Sequence, residues 1–426
     1  MPAPDLSSGV ILWKNFAALE DFLSMFKNRA LSTVFLIIFI DLLGFSLILP
    51  LLPYYARQFN ATSFETGLLV AVYALAQFIA APIFGRFSDR YGRRPVLLLS
   101  LLGNILSFIF LGLAANLWML FAARVLAGII GSNISVAQAY ITDVTDESSR
   151  ARGLGLIGAA FGLGFILGPA IGGLLSRFGF AVPSFAAAVL SALNFLMVLF
   201  WLPESLTAER RASLAQGKRP PFNLQALLAV LRKPVVGPLL HTRFFFAIAF
   251  STFQTIFALW GLQRLNLTAQ TTGYLLTYVG FLSTFVQGFL IGRLTRRFSE
   301  PFLIFSATVL MAVGLLGWAL VSSVQTLLLD LIPIALAGGI LNTVINSAIS
   351  KSVTPVEVGG TLGLAASLES LTRVFSPTLG GLLLDTLGTW APGVFSALIL
   401  IWLATYVYRY IFRSAPVAAA ATPSLR

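Results

Sequence analysis

A chain of 426 residues that is 58% hydrophobic and only 10% charged carries far more apolar surface than one soluble core can cover, which excludes a water-soluble enzyme or binding domain. The net charge of +12 is spread along the chain rather than gathered into one patch, so it argues against nucleic acid as a partner. There is no cysteine and a single histidine, His241, which excludes disulfides, thiolate metal sites and histidine clusters; neither a metal nor a cofactor is expected.

Along the chain, the first apolar stretch is interrupted by Lys14, Glu20 and Asp21 and does not read as a cleavable signal peptide. Trp13, Phe16, Leu19, Leu23 and Phe26 fall near helical spacing and predict a short amphipathic helix at the membrane interface, within an N-terminal segment 1–30. Crossing the hydrocarbon core takes roughly 20 apolar residues, and about twelve runs meet that length. They lie near 31–55, 66–87, 95–114, 117–141, 153–176, 181–202, 244–263, 271–292, 301–322, 325–349, 360–385 and 390–412. The runs are continuous and rich in Leu, Phe, Ala and Gly, without the alternation of a membrane barrel, so the predicted fold is all-α.

Six runs form a bundle at 31–202 and six more a bundle at 241–413, separated by a polar linker at 203–240 that contains Pro220 and Pro221. Leu224, Leu227, Leu228 and Leu231 predict a surface helix late in that linker. The tail at 414–426 reads as disordered.

Lysine and arginine alternate in step with the loops. With the N-terminus inside, only Arg57, Arg177 and Arg264 fall outside and only Arg124 and Arg373 within spans; the remainder, Arg243 among them, is assigned to the cytoplasmic side. This is the positive-inside pattern of a multi-pass protein of the cell membrane with both termini in the cytoplasm. It is expected to act as a monomer.

The two bundles echo each other. "FGRFSDRYGRRP" after the second run answers to "IGRLTRRFSEP" after the eighth; "LAGIIG" answers to "LAGGIL", and "GPAIGGLL" to "SPTLGGLL". Parallel repeats around a central pathway are a common plan of secondary transporters.

The motifs are more specific. "GRFSDRYGRRP", with Gly85, Asp89, Arg90, Gly92, Arg93 and Arg94, resembles the loop between helices 2 and 3 of the major facilitator superfamily. "RVLAGIIGSNISVAQAYITD" with Arg124 resembles its helix-4 motif. "GAAFGLGFILGPAIGG", with Gly164, Gly168, Pro169, Gly172 and Gly173, resembles the helix-5 motif of its drug/proton antiporters, and "FIDLLGFSLILPLLP" makes the first half similar to tetracycline/proton antiporters. The resemblance implies twelve helices in two parallel six-helix repeats. It also implies a latch in which Asp89 faces the positive N-terminus of helix 11 and favours the outward-open state. Helix 5 would pack against helix 8 as a hinge or sliding interface, with Pro377 the counterpart of Pro169.

Asp41, Arg124, Glu369 and Arg373 fall at membrane depth, where each charge costs roughly 2.5–3.5 kcal/mol or more and calls for a wet cavity or a partner. Glu369 and Arg373 are spaced to pair on one helix face. Asp41 has no such partner and matches an acid of the tetracycline antiporters, which makes it the first candidate for the proton site; Arg124 matches the helix-4 arginine held to tune a nearby acid. Candidates to line the cavity are Gln77, Asn104, Asn133, Gln138, Gln254, Gln287, Asn342 and Asn346. The family's helix-3 acid is replaced by Ser107, and 301–322 holds no acid, so tetracycline itself is disfavoured. The predicted function is alternating-access transport, a proton-coupled efflux of a small amphipathic or cationic molecule; symport or uniport of a metabolite is the alternative, and a non-transporting receptor the reading from another class.

Overall fold

The computed structural model of the protein describes residues 29–131, 133–145, 147–207, 209, 211, 230–354 and 357–413. The interfacial helix predicted near the N-terminus, the surface helix after Pro221 and the tail 414–426 lie outside the described residues.

Among the described residues twelve long helices run in chain order. They are α1 Ser32–Gln58, α2 Ser63–Tyr91, α3 Arg93–Gly112, α4 Leu117–Val144, α5 Glu147–Leu175, α6 Ala181–Trp201, α7 Val236–Leu265, α8 Ala269–Arg297, α9 Glu300–Leu320, α10 Val324–Lys351, α11 Val358–Leu387 and α12 Ala391–Phe412. Among the described residues, eleven of these are long and apolar enough to cross a membrane; α11 is as long but carries Glu369, Arg373 and Asp385. The seventh helix starts at Val236, ahead of both the predicted span and the 241 boundary.

Helix ends follow local chemistry. Thr62 caps α2 with a reciprocal hydrogen bond to Glu65, and Ser323 does the same for α10 with Thr326, meeting donors that a helix start leaves open. Gly92 separates α2 from α3 at φ +106°, a conformation that favours glycine. Within α1, Pro50 lacks an N–H, and the helix tightens to a 3₁₀ turn over Leu49–Leu51,.

The end that carries the α2–α3 loop is called here the basic end, and the other the far end. At the far end the two bundles are in close contact. Backbone of α2 at Gly67 lies against the Pro377 carbonyl, and α11 at Gly381 against Ser63, with no room for a Cβ at either glycine. Tyr54 bonds Thr272 Oγ1 at 2.5 Å, Gln263 donates to Ser63 Oγ at 2.8 Å, and Thr277 to the Ile166 carbonyl at 2.8 Å. The Asp385 carboxylate accepts from the N–H groups of Ser63 at 3.1 Å and Phe64 at 2.8 Å, so an acid of α11 caps the positive start of α2.

Towards the basic end the picture reverses. A Cβ added at Gly85, Gly155, Gly158, Gly288, Gly292, Gly360 or Gly363 would meet nothing within 4 Å. The bundles are joined at the far end and stand apart at the basic end.

Candidate functional site

Between the bundles lies a cavity of about 420 Å³, and every charged residue on its wall comes from within a helix. On α1, Asp41 Oδ1 accepts from Asn104 Nδ2 of α3 and from Asn133 Nδ2 of α4, both at 3.0 Å. Asn133 is available because α4 breaks at Gly131 and restarts at Asn133; Gln77 of α2 donates to the Gly131 carbonyl at 3.1 Å. No lysine or arginine is paired with Asp41 among the described residues.

Arg124 is 3% exposed. Its guanidinium lies 4.2 Å from the centre of the Tyr73 ring, and Nε and Nη2 have no hydrogen-bond partner among the protein's described residues. Cation–π contact supplies about 2 kcal/mol or more when desolvated, whereas burying an ion costs several kcal/mol. Its charge is therefore incompletely compensated.

Across the cavity, Glu369 of α11 pairs with Arg373 at 2.8 Å, as the spacing on one helix predicted. It also pairs with Arg243 of α7, whose Nη1 donates to Asn342 Oδ1 of α10 at 2.6 Å. Arg243 had been counted with the cytoplasmic charges. It is buried, because α7 begins two turns before it; the apolar "VVGPLL" ahead of it was the signal for that earlier start.

Of the predicted lining residues, Gln77, Asn104, Gln254, Gln287 and Asn342 are on the cavity wall. Gln287 is presented by a single π turn over Val286–Leu290. Asn133 is buried behind the wall and acts on Asp41. Gln138 and Asn346 are exposed and are not part of the lining; both point off helix faces whose other side is packed. The apolar wall was not anticipated: Phe45 meets Tyr73 at 5.4 Å and Phe165 at 6.4 Å, and Phe246 stacks on Phe250 at 5.5 Å. A further intramembrane acid, Asp330 of α10, lies beside Gly317 of α9 and outside the cavity. Among the described residues no group of three or more His, Asp or Glu is placed to hold a metal ion.

The charged loop works mainly inside its own bundle. Arg93, buried, pairs with Asp89 at 2.7 Å and with Asp143 at 3.0 Å, tying α2, α3 and α4 together. Glu204 accepts from the N–H groups of Arg93 at 2.9 Å and Arg94 at 3.1 Å, capping α3, while Arg94 Nη2 donates to the Leu199 carbonyl at 2.6 Å. Arg90 lies 5.4 Å from the Tyr91 ring. Gly85 has open space beside it, as do Gly360 and Gly363 in the first turns of α11.

The helix-5 glycines divide between two partners. Gly164, Gly168 and Gly172 face α1 at Leu42, Ser46 and Leu47, within the same bundle, and Ser46 Oγ donates to the Gly164 carbonyl at 2.7 Å. Gly173 and Pro169 face α8, where Gly273 admits the Pro169 carbonyl. The expected interface with helix 8 is thus made by two of the five residues, because small residues every fourth position form one stripe and that stripe is taken by α1.

The sequence profile described as Major Facilitator Superfamily matches residues 34–339 and 288–425. The chain belongs to the major facilitator superfamily. It is a membrane transporter and not an enzyme. It is 33% identical to the class C tetracycline resistance protein of Escherichia coli over 83% of this chain and 89% of that protein, and within the superfamily it resembles the drug/proton antiporter type. It is also 33% identical to solute carrier family 22 member 18 of Rattus norvegicus, over 79% of this chain and 83% of the relative. In fold it is similar to the human organic anion transporter MFSD10, with a TM-score of 0.65 at 24% identity over 89% of this chain and 99% of that one. It is similar too to a bacterial homologue of the human lysosomal transporter Spinster, solved inward-facing and occupied, with a TM-score of 0.73 at 16% identity over 91% and 98% of the two chains.

Proposed function

We propose that the chain carries a small amphipathic molecule across the cell membrane by alternating access, coupled to protons, with Asp41 as the proton site. The observation that carries this is Asp41 itself: a carboxylate on the wall of the central cavity, held by two neutral amides and paired with no cation among the described residues. The likeness to tetracycline resistance proteins supports export driven by inward proton flow. A second reading, proton symport, is favoured by the cavity's three arginines against two carboxylates, since a cationic cargo would meet net repulsion there.

Proteoliposomes loaded with a pH-sensitive dye separate the two. On addition of a fluorescent aromatic probe to one side, ethidium as cation or anilinonaphthalene sulfonate as anion, protons counter-flow in antiport and co-flow in symport. A wild-type protein that moves either probe with no proton movement would leave uniport.

For orientation, both termini and the basic end are placed in the cytoplasm. The chain has no cysteine, so single ones report cleanly. A cysteine replacing Ser299, exposed between α8 and α9, is expected to resist an impermeant thiol reagent in intact cells, while one replacing Trp118, exposed near the start of α4, reacts. The reverse pattern would invert the topology.

With that orientation the present state is inward-open, and two acids are set to act in opposite directions. Asp385 holds α2 at the closed outer end, so Asp385→Asn is expected to speed outside labelling of a cysteine at Leu49, which lines the cavity. Hydrogen bonds to a charged group contribute about 1.5–3 kcal/mol, enough to shift a balanced equilibrium at least tenfold. Asp89, in the resemblance the latch of the outward-open state, gives the other sign: Asp89→Asn slows that labelling and impairs transport. Equal labelling in all three proteins would remove both acids from the switch.

A further inference from the structure

The charges of the cavity do not balance. Arg243 and Arg373 share the one carboxylate of Glu369, Asp41 is met only by amides, and Arg124 has two buried guanidinium nitrogens with no partner. We propose that Arg124 is the seat for the acidic group of an organic anion, a carboxylate or sulfonate whose aromatic body lies against Phe45, Tyr73 and Phe165. The inference rests on this cavity being the transport site.

Three observations converge on an anion. First, a guanidinium is a planar fork of N–H donors that matches an oxyanion; the Tyr73 ring covers a face of Arg124 and leaves the in-plane donors Nε and Nη2 unmet. Second, Arg124 is 3% exposed, so an acceptor that reaches it is held in a setting of low polarity where charge-assisted hydrogen bonds are strong. Third, the wall holds three arginines and two carboxylates and stays positive whether Asp41 is charged or protonated. The Phe45–Tyr73 and Phe45–Phe165 contacts run on from the Arg124 site as a continuous aromatic surface, which suits a flat apolar body joined to one acid.

This assignment fixes the sign of coupling. Asp41 is bonded by Asn104 and Asn133, and the titratable and charged groups that share its cavity are Tyr73 and Arg124 from α2 and α4, Arg243 from α7, and Glu369 and Arg373 from α11. Of these, protonating Asp41 removes a negative charge from the anion's surroundings, so proton and anion assist each other's binding, reciprocally. The anion binds more tightly at lower pH, and loading both together is the symport reading.

The test uses the purified full chain in nanodiscs and calorimetric titration with three isosteric probes: 2-naphthoate, 2-naphthamide and 2-naphthylmethylammonium. The expected order is naphthoate tightest, by roughly tenfold or more over the amide, as for a charge-assisted hydrogen bond, with the ammonium weakest. Arg124→Gln brings naphthoate down to the amide, and Arg124→Lys recovers part of the preference. Because Arg124 has no ion pair to lose, Arg124→Gln should unfold no earlier than wild type on heating. Thr284→Trp, filling the cavity from a lining position, blocks all probes. Equal binding of the three probes, or a naphthoate preference that survives Arg124→Gln, each with Thr284→Trp still blocking, overturns the anion seat and leaves the cavity as the site; no binding at millimolar concentration overturns the anion seat. Binding that survives Thr284→Trp overturns the cavity reading as well.

Discussion

Asp41→Asn is expected to abolish proton-driven accumulation of cargo in proteoliposomes, down to the level of empty vesicles, while downhill exchange survives. The asparagine keeps the oxygen that accepts from Asn104 and Asn133 and nearly the same volume, so the wall around it is preserved. What it removes is the titratable group proposed to take and release the proton. Without a protonation event the two conformations still interconvert and still bind cargo, and a concentration gradient still relaxes; a proton gradient has nothing to act on. Accumulation under an imposed pH gradient, measured beside counterflow at equal pH, separates the two. Wild-type accumulation by the variant would move the proton site elsewhere. Glu369 is the next candidate, and if Glu369→Gln also accumulates normally, uniport becomes the leading reading.

Much of the architecture was legible in the residues, for reasons specific to a bilayer. A span must be continuous and apolar, so the twelve helices could be located from runs of Leu, Phe, Ala and Gly, and the charges inside those runs, Asp41, Arg124, Glu369 and Arg373, are on the cavity wall. The sequence also carried the turn at Gly92 and the Glu369–Arg373 pair, which are local. It failed where the answer depended on a neighbour. Arg243 was lost because the predicted span began just after it, although the apolar "VVGPLL" ahead of it marks an earlier helix start. Gly164, Gly168 and Gly172 could face any close helix, and nothing in their spacing chose α1 over α8. Gln138 and Asn346 share composition with the true lining residues, and only helix rotation excludes them. Asp330 was passed over for a similar reason, since one acid in the first turns of an apolar run reads as an interfacial residue. Asp385, in the last turn of its helix, revealed its role only through the distant N–H groups of Ser63 and Phe64.

The largest effect on stability is expected for Glu369→Gln. One carboxylate joins three helices: Arg243 of α7, which is also bonded to Asn342 of α10, and Arg373 of its own helix. The two guanidinium partners differ in setting, with the Arg243 side chain 8% exposed and the Arg373 side chain 56% exposed. An exposed pair on one helix contributes about 0–1 kcal/mol, so Arg373→Gln should change little. Removing the shared acid is different, because Arg243 is left buried without an anion and the two arginines converge on a neutral amide; breaking a buried pair from one side costs about 3–5 kcal/mol. Removing both members, in Arg243→Gln combined with Glu369→Gln, should recover much of that loss, since no charge is then stranded. Thermal unfolding of the four proteins in one detergent gives the order: wild type and Arg373→Gln highest, the double variant between, Glu369→Gln lowest. If Glu369→Gln unfolds no earlier than Arg373→Gln, the three-helix junction does not hold the second bundle together, and the acid is then free to be read as a cargo or proton group alone.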